Sequence, residues 1–461
     1  MSNSAERVIA AVSTPPGKGG VALIRVSGEG AIETVARCFV PRSGKALPSC
    51  PSRTAVYGDI IAEGTPIDDA LCTLFRAPHS YTGEDTVEIC CHGGILITRR
   101  VLEAVFAAGA HPAEAGEFTR RALLSGRMSL TEAEGIGRLL EAQSDAQIRL
   151  SSPVARTRLS EAVSRLYDRL LTLLGDLRAR IDYPEEDLGE MSEEEILAAL
   201  NELLDGTRKL QSTYRTGRAV SEGIPTVLCG SPNVGKSSLY NLLAGEELAI
   251  VTSYAGTTRD VLATDLPLGR VMLRLSDTAG LRESDDPVEQ IGVERTRARM
   301  EESELILAVF DGSRPLDEGD RALIADLKNA QATCIACINK SDLPRMIEEE
   351  ELTAVFSYVL HLSAKDGDGQ KELSALVEEL FTDGSISLGE EAVVASARQN
   401  AALTNCADLL AAARDAYASG IPVDLISSDL ELALGELGAL NGRTVSEEII
   451  GEIFSRFCVG K

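Results

Sequence analysis

The loop at residues 230–237, which reads GSPNVGKS, constrains the fold of this chain more than any other segment. A glycine, four residues and then Gly-Lys-Ser is the phosphate-binding P-loop pattern. An apolar run at 226–229 precedes the loop and a helical pattern at 238–244 follows it, which disfavours a Gly-rich turn with a chance lysine. In this context backbone N–H groups and a helix N-terminus face bound phosphates. The loop predicts a nucleotide site in which Lys236 neutralises the terminal phosphates and Ser237 ligates magnesium.

Four further motifs follow in the order that guanine-nucleotide hydrolases use. GTTRD at 256–260 offers a threonine to the magnesium shell, and DTAG at 277–280 offers an aspartate behind magnesium and a glycine N–H to the γ-phosphate. NKSD at 339–342 supplies a carboxylate that accepts both donors of the guanine edge, and SAK at 363–365 backs the ring. Together the motifs predict a GTPase of the translation-factor-like P-loop class. The residues predicted to contact GTP are Asn233, Val234, Gly235, Lys236, Ser237, Ser238, Thr252, Ser253, Tyr254, Ala255, Gly256, Thr257, Thr258, Asp277, Thr278, Ala279, Gly280, Asn339, Lys340, Asp342, Ser363, Ala364 and Lys365.

The catalytic chemistry has a gap after the DTAG motif. Ras-like enzymes orient the attacking water with a glutamine at this position, but here it is Leu281, which cannot form a hydrogen bond. Asn233 and the carbonyl groups of 252–257 are candidates to hold a monovalent cation that acts as an arginine finger does. Rival sources of that charge are Arg259 and Arg282. Glu289 is a candidate to polarise water, or an ordinary surface acid.

The length of 461 residues predicts several domains. Residues 1–124 show short strand patterns with two helices, which predicts an α+β domain. Residues 125–222 are helical, residues 223–383 alternate strand and helix patterns as in a doubly wound, mostly parallel sheet, and residues 384–461 are helical again. The predicted fold class is therefore a multidomain α/β protein in which a P-loop G domain is inserted into a helical domain.

Two strand patterns in the first domain, at 21–26 and 86–91, each carry one charged residue among apolar neighbours. These residues are Arg25 and Glu88. They either pair with each other or face solvent, or they line a polar pocket on a small sheet, and the residues alone leave both alternatives open.

Charge and cysteine usage limit the function classes. The net charge of −26 disfavours non-specific nucleic-acid binding by the whole surface. The segment 149–180 is a local exception, with seven arginines against three acids, and is either a solvated face or a dock for an RNA or an acidic partner. Cys334 and Cys337 lie in an apolar strand pattern, and Cys90-Cys91-His92 is better explained as a strand end than as a metal site. Reduced thiols, together with the lack of a signal peptide or a membrane-spanning apolar run, predict a cytoplasmic protein.

The C-terminal segment FCVGK at 457–461 fits a prenylation signal poorly. It resembles instead the terminal signature of the MnmE (TrmE) family of bacterial tRNA-modification GTPases. The resemblance extends to PPGKGGV at 15–21, YTGED at 81–85, GEFTRRA at 116–122 and DTAGLRE at 277–283, and so covers nearly the whole chain. The departures are the conservative residues Val234 and Val459, and Ser253 where some members have aspartate.

The resemblance implies a potassium-activated GTPase that works with the FAD-containing protein MnmG on the wobble uridine of tRNA. The pair adds an aminomethyl or carboxymethylaminomethyl group at uridine C5, using a carbon from methylene-tetrahydrofolate. It further implies a homodimer through an N-terminal domain that binds 5,10-methylene- or 5-formyl-tetrahydrofolate, a heterotetramer with MnmG, and GTP hydrolysis coupled to dimerisation of the G domains.

The resemblance also implies roles for individual residues. It implies K⁺ ligands at Asn233, Thr252, Tyr254 and Thr257, and Mg²⁺ ligands at Ser237 and Thr258. It implies folate contacts at Arg25, Glu88, Arg127 and Lys461. Glu289 matches the residue that orients water, and Cys458 matches a signature cysteine whose catalytic role stays open. The alternatives from other classes are an RNA- or ribosome-binding assembly switch of the Era/EngA type, which would carry a KH-like or second G domain, and a membrane-remodelling GTPase.

Overall fold

The computed structural model describes residues 7–182, 191–245, 263–276, 300–444, 447–455 and 457–460. The chain divides into two compact units, one from residues 1–137 and 437–461 and the other from residues 138–436. We call them the first unit and the second unit.

A seven-stranded sheet forms the centre of the first unit, in the spatial order β3-β4-β5-β6-β2-β1-β7. All neighbouring strands are antiparallel except β1 and β7. The strands are β1 Ile9–Val12, β2 Val21–Ser27, β3 Phe39–Pro41, β4 Ala55–Ala62, β5 Thr65–Phe75, β6 Thr86–His92 and β7 His111–Pro112. The strands predicted around Arg25 and Glu88 are confirmed as β2 and β6.

Two helices, α1 (Ala31–Ala36) and α2 (Ile95–Ala107), pack against this sheet. Alternation along the strands sends residues such as Ile24, Val26 and Ile89 into the core between sheet and helices. A smaller apolar cluster involves α3 (Glu117–Leu124), whose Phe118 packs with Ile9 and Ala11 of β1.

The end of the chain returns to the first unit. The helix α15 (Glu447–Ser455) packs with α3 and with α4 (Leu130–Glu141) through a cluster that includes Leu130, Ala133, Ile450 and Phe454. The sequence TVSE at 444–447 predicts a capping box for this helix, but residues 445 and 446 lie outside the described part of the chain.

Helices on both sides of the G domain in sequence pack together in the second unit. They are α5 Asp145–Leu150, α6 Pro153–Asp182, α7 Glu193–Ser212, α8 Tyr214–Ser221, α13 Ala397–Ala418 and most of α14 Val423–Asn441. The acidic stretch at 192–195, which the sequence predicts to cap a helix, begins α7 with a capping box between Ser192 and Glu195. The helix α7 packs against α13, where Gln211 Nε2 donates to Thr404 Oγ1 at 2.8 Å.

The G domain contains a six-stranded sheet in the order β13-β12-β11-β8-β10-β9, parallel except for the β9–β10 pair. Its strands are β8 Ile224–Cys229, β9 Ala263–Leu268, β10 Val271–Ser276, β11 Leu305–Asp311, β12 Thr333–Asn339 and β13 Tyr358–His361. Its helices are α9 Lys236–Ala244, α10 Glu318–Leu327, α11 Glu350–Thr353 and α12 Gln370–Phe381. Apolar clusters lie on both sheet faces.

These elements confirm the predicted fold class, while the exact domain boundaries stay predictions. The strand patterns that the sequence shows at 226–229, 271–276, 305–310, 334–338 and 359–362 are confirmed as β8, β10, β11, β12 and β13, but the edge strand β9 was not predicted. Its sequence ATDLPL has an aspartate and a proline, and a proline in a strand is tolerated at an edge because no neighbour needs its missing N–H. In the described ranges, every helix is too short or too polar to cross a membrane.

Two helical glycines of the second unit should respond to alanine in opposite ways. A Cβ on Gly217 of α8 would overlap the carbonyl oxygen of Val394, whereas a Cβ on Gly175 of α6 would meet nothing within 4 Å beyond its own helix. We expect Gly217→Ala to destabilise the unit by about 1–3 kcal/mol through overpacking. The control Gly175→Ala should be neutral or stabilising by up to about 1 kcal/mol. Urea unfolding midpoints measure both effects, and equal midpoints would contradict the close approach of α8 to residue 394.

Candidate functional site

The P-loop connects β8 to α9, as the sequence predicts. Its backbone enters positive φ at Gly230 (152°), at Asn233 (63°) and at Gly235 (98°). A Cβ on Gly235 would overlap the side-chain nitrogen of Asn339, so only glycine fits there. Lys236 Nζ donates to the carbonyl oxygens of Gly230 at 2.8 Å and Ser231 at 2.9 Å. These two bonds hold the lysine against the concave backbone that a phosphate-binding loop requires.

Asn339 joins three segments of the predicted site. It ends β12 and is 2 % exposed. Its Nδ2 donates to the carbonyl oxygen of Val234 in the P-loop at 2.8 Å, and its Oδ1 accepts the N–H of Ala364 at 2.9 Å. The structure therefore brings the P-loop, the NKSD segment and the SAK segment together, although they are far apart in sequence.

The side chain of Asp342 is oriented by the SAK segment. Its Oδ1 accepts the hydroxyl of the buried Ser363 at 3.0 Å. Asp342 and Lys365 are exposed, and Ala364 is half-buried. A carboxylate that is held at one oxygen and remains open to solvent is suited to receive the two donors of a guanine edge.

Asp311 is a member of this site that the sequence reasoning missed. It ends β11 directly opposite Asn339 in the strand register, and it is 8 % exposed. Lys340 Nζ lies 2.6 Å from its Oδ2, and Ser313 donates to its Oδ1 through Oγ at 2.6 Å. Burial acts to raise the pKa of Asp311, but the hydrogen bonds from Lys340 and Ser313 outweigh it and hold the pKa below the usual 3.8. The signal in the sequence was a carboxylate immediately after an unbroken apolar run.

Several predicted site residues lie outside the described part of the chain. They are Thr252, Ser253, Tyr254, Ala255, Gly256, Thr257, Thr258, Asp277, Thr278, Ala279, Gly280, Glu289 and Lys461. Leu281, Arg259 and Arg282, which entered the argument about the missing glutamine, are also outside it. The roles given to these residues stay predictions.

Arg25 and Glu88 face each other across β2 and β6. Glu88 Oε1 accepts from Arg25 Nη2 at 2.8 Å and from Arg25 Nε at 3.1 Å, so the pairing alternative is correct. The pair is not simply solvated, because the guanidinium carbon lies 5.1 Å from the centre of the Tyr81 ring and 5.7 Å from that of Phe118. A half-buried arginine close to two aromatic rings is also compatible with the polar-pocket alternative.

The C-terminal tail reaches the same strand neighbourhood. Ser13 Oγ donates to the carbonyl oxygen of Gly460 at 2.9 Å, and Val459 forms an isolated β-bridge with Ala115. Ser13 directly follows β1, which pairs with the strand of Arg25. Cys458 is exposed. Arg127, also exposed, lies beside the Gly83 backbone, where its Cγ would be 3.2 Å from an added Cβ.

The arginine-rich segment 149–180 is partly neutralised by acids of the second unit. Its ion-paired arginines among the described side chains include Arg165, Arg169 and Arg178. Their partners are, in the same order, Glu161, Glu202 and Glu431. This pairing favours a structural role for these side chains over a free cationic surface.

The cysteine and histidine patterns also have places in the fold. Cys334 and Cys337 lie on β12, and burial raises the pKa of Cys337 to about 12. His92 ends β6, as the strand-end interpretation predicts, and its Nδ1 lies 2.7 Å from Asp68 Oδ1. That hydrogen bond raises the pKa of His92 above its usual value. Within the described ranges, the group Asp68, Asp69 and His92 is the one cluster with metal-ligand spacing.

Comparison with known proteins gives full-length matches. The family model described as "GTP-binding protein TrmE N-terminus" matches residues 8–127, and the one described as "MnmE helical domain" matches residues 130–458. The protein named tRNA modification GTPase MnmE from Carboxydothermus hydrogenoformans is 40 % identical over 461 residues, which cover 99 % of this chain and 100 % of the relative. The protein of the same name from Symbiobacterium thermophilum is 42 % identical over 459 residues, which cover 99 % of this chain and 100 % of the relative.

A solved structure also matches part of the chain. The FeoB G-domain from Methanococcus jannaschii is 23 % identical, and the match covers 34 % of this chain and 97 % of that one. Its TM-score of 0.25 is too low to support any argument about this chain.

The Asp311–Lys340 pair predicts that the G domain loses stability at acid pH. Because the folded pKa of Asp311 is lowered, its contribution is complete above pH 3.8 and is lost as the pH falls through the lowered value. We expect Asp311→Asn to lower the free energy of unfolding by about 1.5–3 kcal/mol at neutral pH, the size of a charge-assisted hydrogen bond. The difference from the unsubstituted protein should shrink as the pH is lowered.

Urea unfolding followed by circular dichroism measures this difference, since the chain has no tryptophan. Asp368→Asn, which alters an exposed carboxyl of the same domain, is the control and should change stability by less than about 0.5 kcal/mol. If the loss of unfolding free energy caused by Asp311→Asn stays constant from neutral to acid pH, ionisation of this carboxyl contributes nothing to the stability of the domain.

Proposed function

This chain belongs to the MnmE family of tRNA modification GTPases, and on that premise we propose that it is a potassium-activated GTPase that modifies the wobble uridine of tRNA. Family membership sets aside the assembly-switch and membrane-remodelling alternatives. The observation that carries the GTPase part is Asn339, which joins the P-loop to the segment expected at the guanine ring. In the proposed reaction the chain works with MnmG, as a heterotetramer, and uses a carbon from methylene-tetrahydrofolate. A tRNA substrate also makes the cytoplasm the proposed location.

The proposed phosphate and magnesium site uses the P-loop and the first turn of α9. Lys236 is already held over the loop, and Ser237 follows it at the helix N-terminus, where backbone N–H groups point outward. The hydroxyl of Ser237 and that of Thr258 are hard oxygen donors, which Mg²⁺ prefers. The donor set therefore fits the proposed ion, which would neutralise charge on the β- and γ-phosphates.

The proposed potassium site is built around Asn233. This residue is exposed in the P-loop, and its backbone has left-handed geometry. Its neutral amide oxygen, with oxygens from Thr252, Tyr254 and Thr257, is a suitable donor set for a monovalent cation. Such a cation would supply the positive charge that an arginine finger supplies in other GTPases. Glu289 is then the proposed residue for orienting water in place of the missing glutamine.

The proposed folate site is the surface around the Arg25–Glu88 pair. A reduced folate has a flat heteroaromatic ring with donors and acceptors and a tail with carboxylates. Tyr81 and Phe118 offer apolar ring faces, and the arginine and glutamate offer both signs of charge. We assign further contacts to Arg127 and Lys461. The tail bonds near Ser13 support this assignment, because they bring the C-terminus and the exposed Cys458 to the strand beside β2.

The proposed homodimer uses the sheet face that carries Arg25. Register and alternation place four large side chains on this same face, and each is substantially exposed. They are Val21 (63 %), Val40 (53 %), Tyr57 (44 %) and Leu71 (45 %). Apolar residues exposed together on one sheet face are typical of an interaction surface. A second copy of this domain is the proposed occupant, and dimerisation of the G domains on GTP binding is proposed to accompany hydrolysis.

Replacing Asn233 by alanine should separate nucleotide binding from potassium activation. We expect GTP hydrolysis by the unsubstituted protein to be faster in potassium than in sodium buffer by roughly tenfold or more, because the cation offsets charge in the transition state. Asn233→Ala should lose this difference and keep its affinity for GDP. Asn241→Ala, which alters an exposed asparagine on α9, is the matched control and should behave like the unsubstituted protein. Equal rates in potassium and sodium before any substitution would refute the cation site.

Replacing Arg25 by glutamine should separate the folate site from the GTPase. We expect Arg25→Gln to weaken binding of 5-formyl-tetrahydrofolate by roughly tenfold or more, because a charge-assisted hydrogen bond to a carboxylate is lost. Potassium-stimulated GTP hydrolysis should be unchanged. In a strain lacking the gene, mass analysis of tRNA nucleosides should find the modified wobble uridine restored by the unsubstituted gene but not by this variant.

The control for this experiment is Arg99→Gln, which removes an exposed arginine of α2 that pairs with Glu103. It should bind folate and restore the modification normally. Modified wobble uridine that persists in the deletion strain would overturn the proposed biological function and leave the GTPase assignment standing.

A further inference from the structure

Ser231, the second residue of the P-loop, is held from two sides. Its hydroxyl donates to Asp320 Oδ1 at 2.7 Å, and its carbonyl oxygen accepts from Lys236 Nζ at 2.9 Å. The P-loop pattern leaves this position unspecified. One residue of the loop thus connects the first turn of α10 with the lysine of the phosphate site.

Asp320 is buried, and its other hydrogen bonds are made within its own segment. It is 1 % exposed, and its Oδ2 lies 2.8 Å from Arg314 Nη1. It also completes a capping box with Asp317 at the start of α10, where Asp317 Oδ1 accepts the Asp320 N–H at 2.8 Å. Because a buried carboxylate is costly unless it is paired, the arginine and the cap hold Asp320 in one position.

The approach of α10 to the loop is close. A Cβ on Gly319, the neighbour of Asp320, would lie 3.2 Å from Ser231 Oγ. A glycine at this point therefore lets the first turn of the helix come within hydrogen-bonding distance of the loop. The segment 314–320 thus contacts the P-loop through the Asp320–Ser231 hydrogen bond.

We propose that Asp320 is a positioning residue for the GTP phosphates, which it serves by orienting Ser231 and through it Lys236. The hydrogen bond fixes the Ser231 peptide, and the carbonyl oxygen of that peptide fixes the amine of Lys236 over the loop. Without it, the peptide rotates more freely and the lysine loses the backbone acceptor that Ser231 provides. The proposal rests on the assignment of residues 230–237 to the phosphates.

A purely structural role for Asp320, as the cap of α10, makes a different prediction. Removing the Ser231 hydroxyl leaves the capping box and the Arg314 ion pair in place. If the Asp320 carboxylate only caps the helix, Ser231→Ala has no effect on nucleotide binding. If it positions the lysine, Ser231→Ala weakens nucleotide binding, while the capping box and the Arg314 ion pair keep the domain folded.

The test compares Ser231→Ala, Ser231→Thr and the matched control Ser385→Ala, which removes a Ser–Asp hydrogen bond of the same 2.7 Å length from Asp383. The readouts are the affinities for fluorescent GDP and GTP analogues, kcat and KM for GTP, and the urea midpoint. We expect Ser231→Ala to lose roughly five- to tenfold in GTP affinity, the worth of one hydrogen bond, and less in GDP affinity because the lysine serves the terminal phosphates. Ser231→Thr, which keeps a hydroxyl, should restore most of the loss. Ser385→Ala should match the unsubstituted protein.

A double substitution tests the order of the relay. Asp320→Ala alone should weaken GTP binding, but adding it to Ser231→Ala should weaken binding little further, since the two residues act through one bond. GTP affinity for Ser231→Ala equal to that of the unsubstituted protein, or additive losses in the double variant, would overturn the proposal. If residues 230–237 did not bind the phosphates, Lys236→Ala would bind GTP as tightly as the unsubstituted protein does. That result would distinguish a failure of the proposed phosphate site from a failure of the role of Asp320.

Discussion

The side-chain amide of Asn339 joins two loops that meet at one edge of the G-domain sheet. It donates to the P-loop at Val234 and accepts from Ala364, and it is buried where water cannot replace either bond. The bond to Val234 ties the proposed phosphate end of the site to β12, and the bond to Ala364 ties the proposed guanine end to the same residue. One buried side chain therefore holds the P-loop and the segment at residues 363–365 to the same strand end.

The rest of the loop is arranged around this fixed point. Gly235 has no side chain because Asn339 occupies the space, and Ser231 at the other end is held by Asp320. Between these two attachments Asn233 remains exposed with left-handed geometry. A loop that is fixed at both ends and open at its middle can present one side chain to a ligand without losing its shape.

The first unit follows a different principle, in which one sheet face is filled by helices and the other is only partly covered. On the partly covered face Arg25 lies between Tyr81 and Phe118 and pairs with Glu88. The chain is strongly acidic, yet Arg25 here and Arg169 in α6 are each paired with an acid of their own unit.

The sequence by itself determined the P-loop, the order of the nucleotide motifs, most strands of the G domain and the strands of Arg25 and Glu88. Each of these depends on contiguous residues, whose spacing and apolar periodicity are visible in a single stretch of chain. Which residues contact each other across the chain was decided by the tertiary structure alone. Arg25 meets Glu88 across 63 positions, Ser231 meets Asp320 across 89, and Ser13 meets Gly460 across 447. Such contacts, like the edge strand β9 and the Asp311–Lys340 pair, depend on how strands align and helices approach, and neighbouring residues along the chain do not record that alignment.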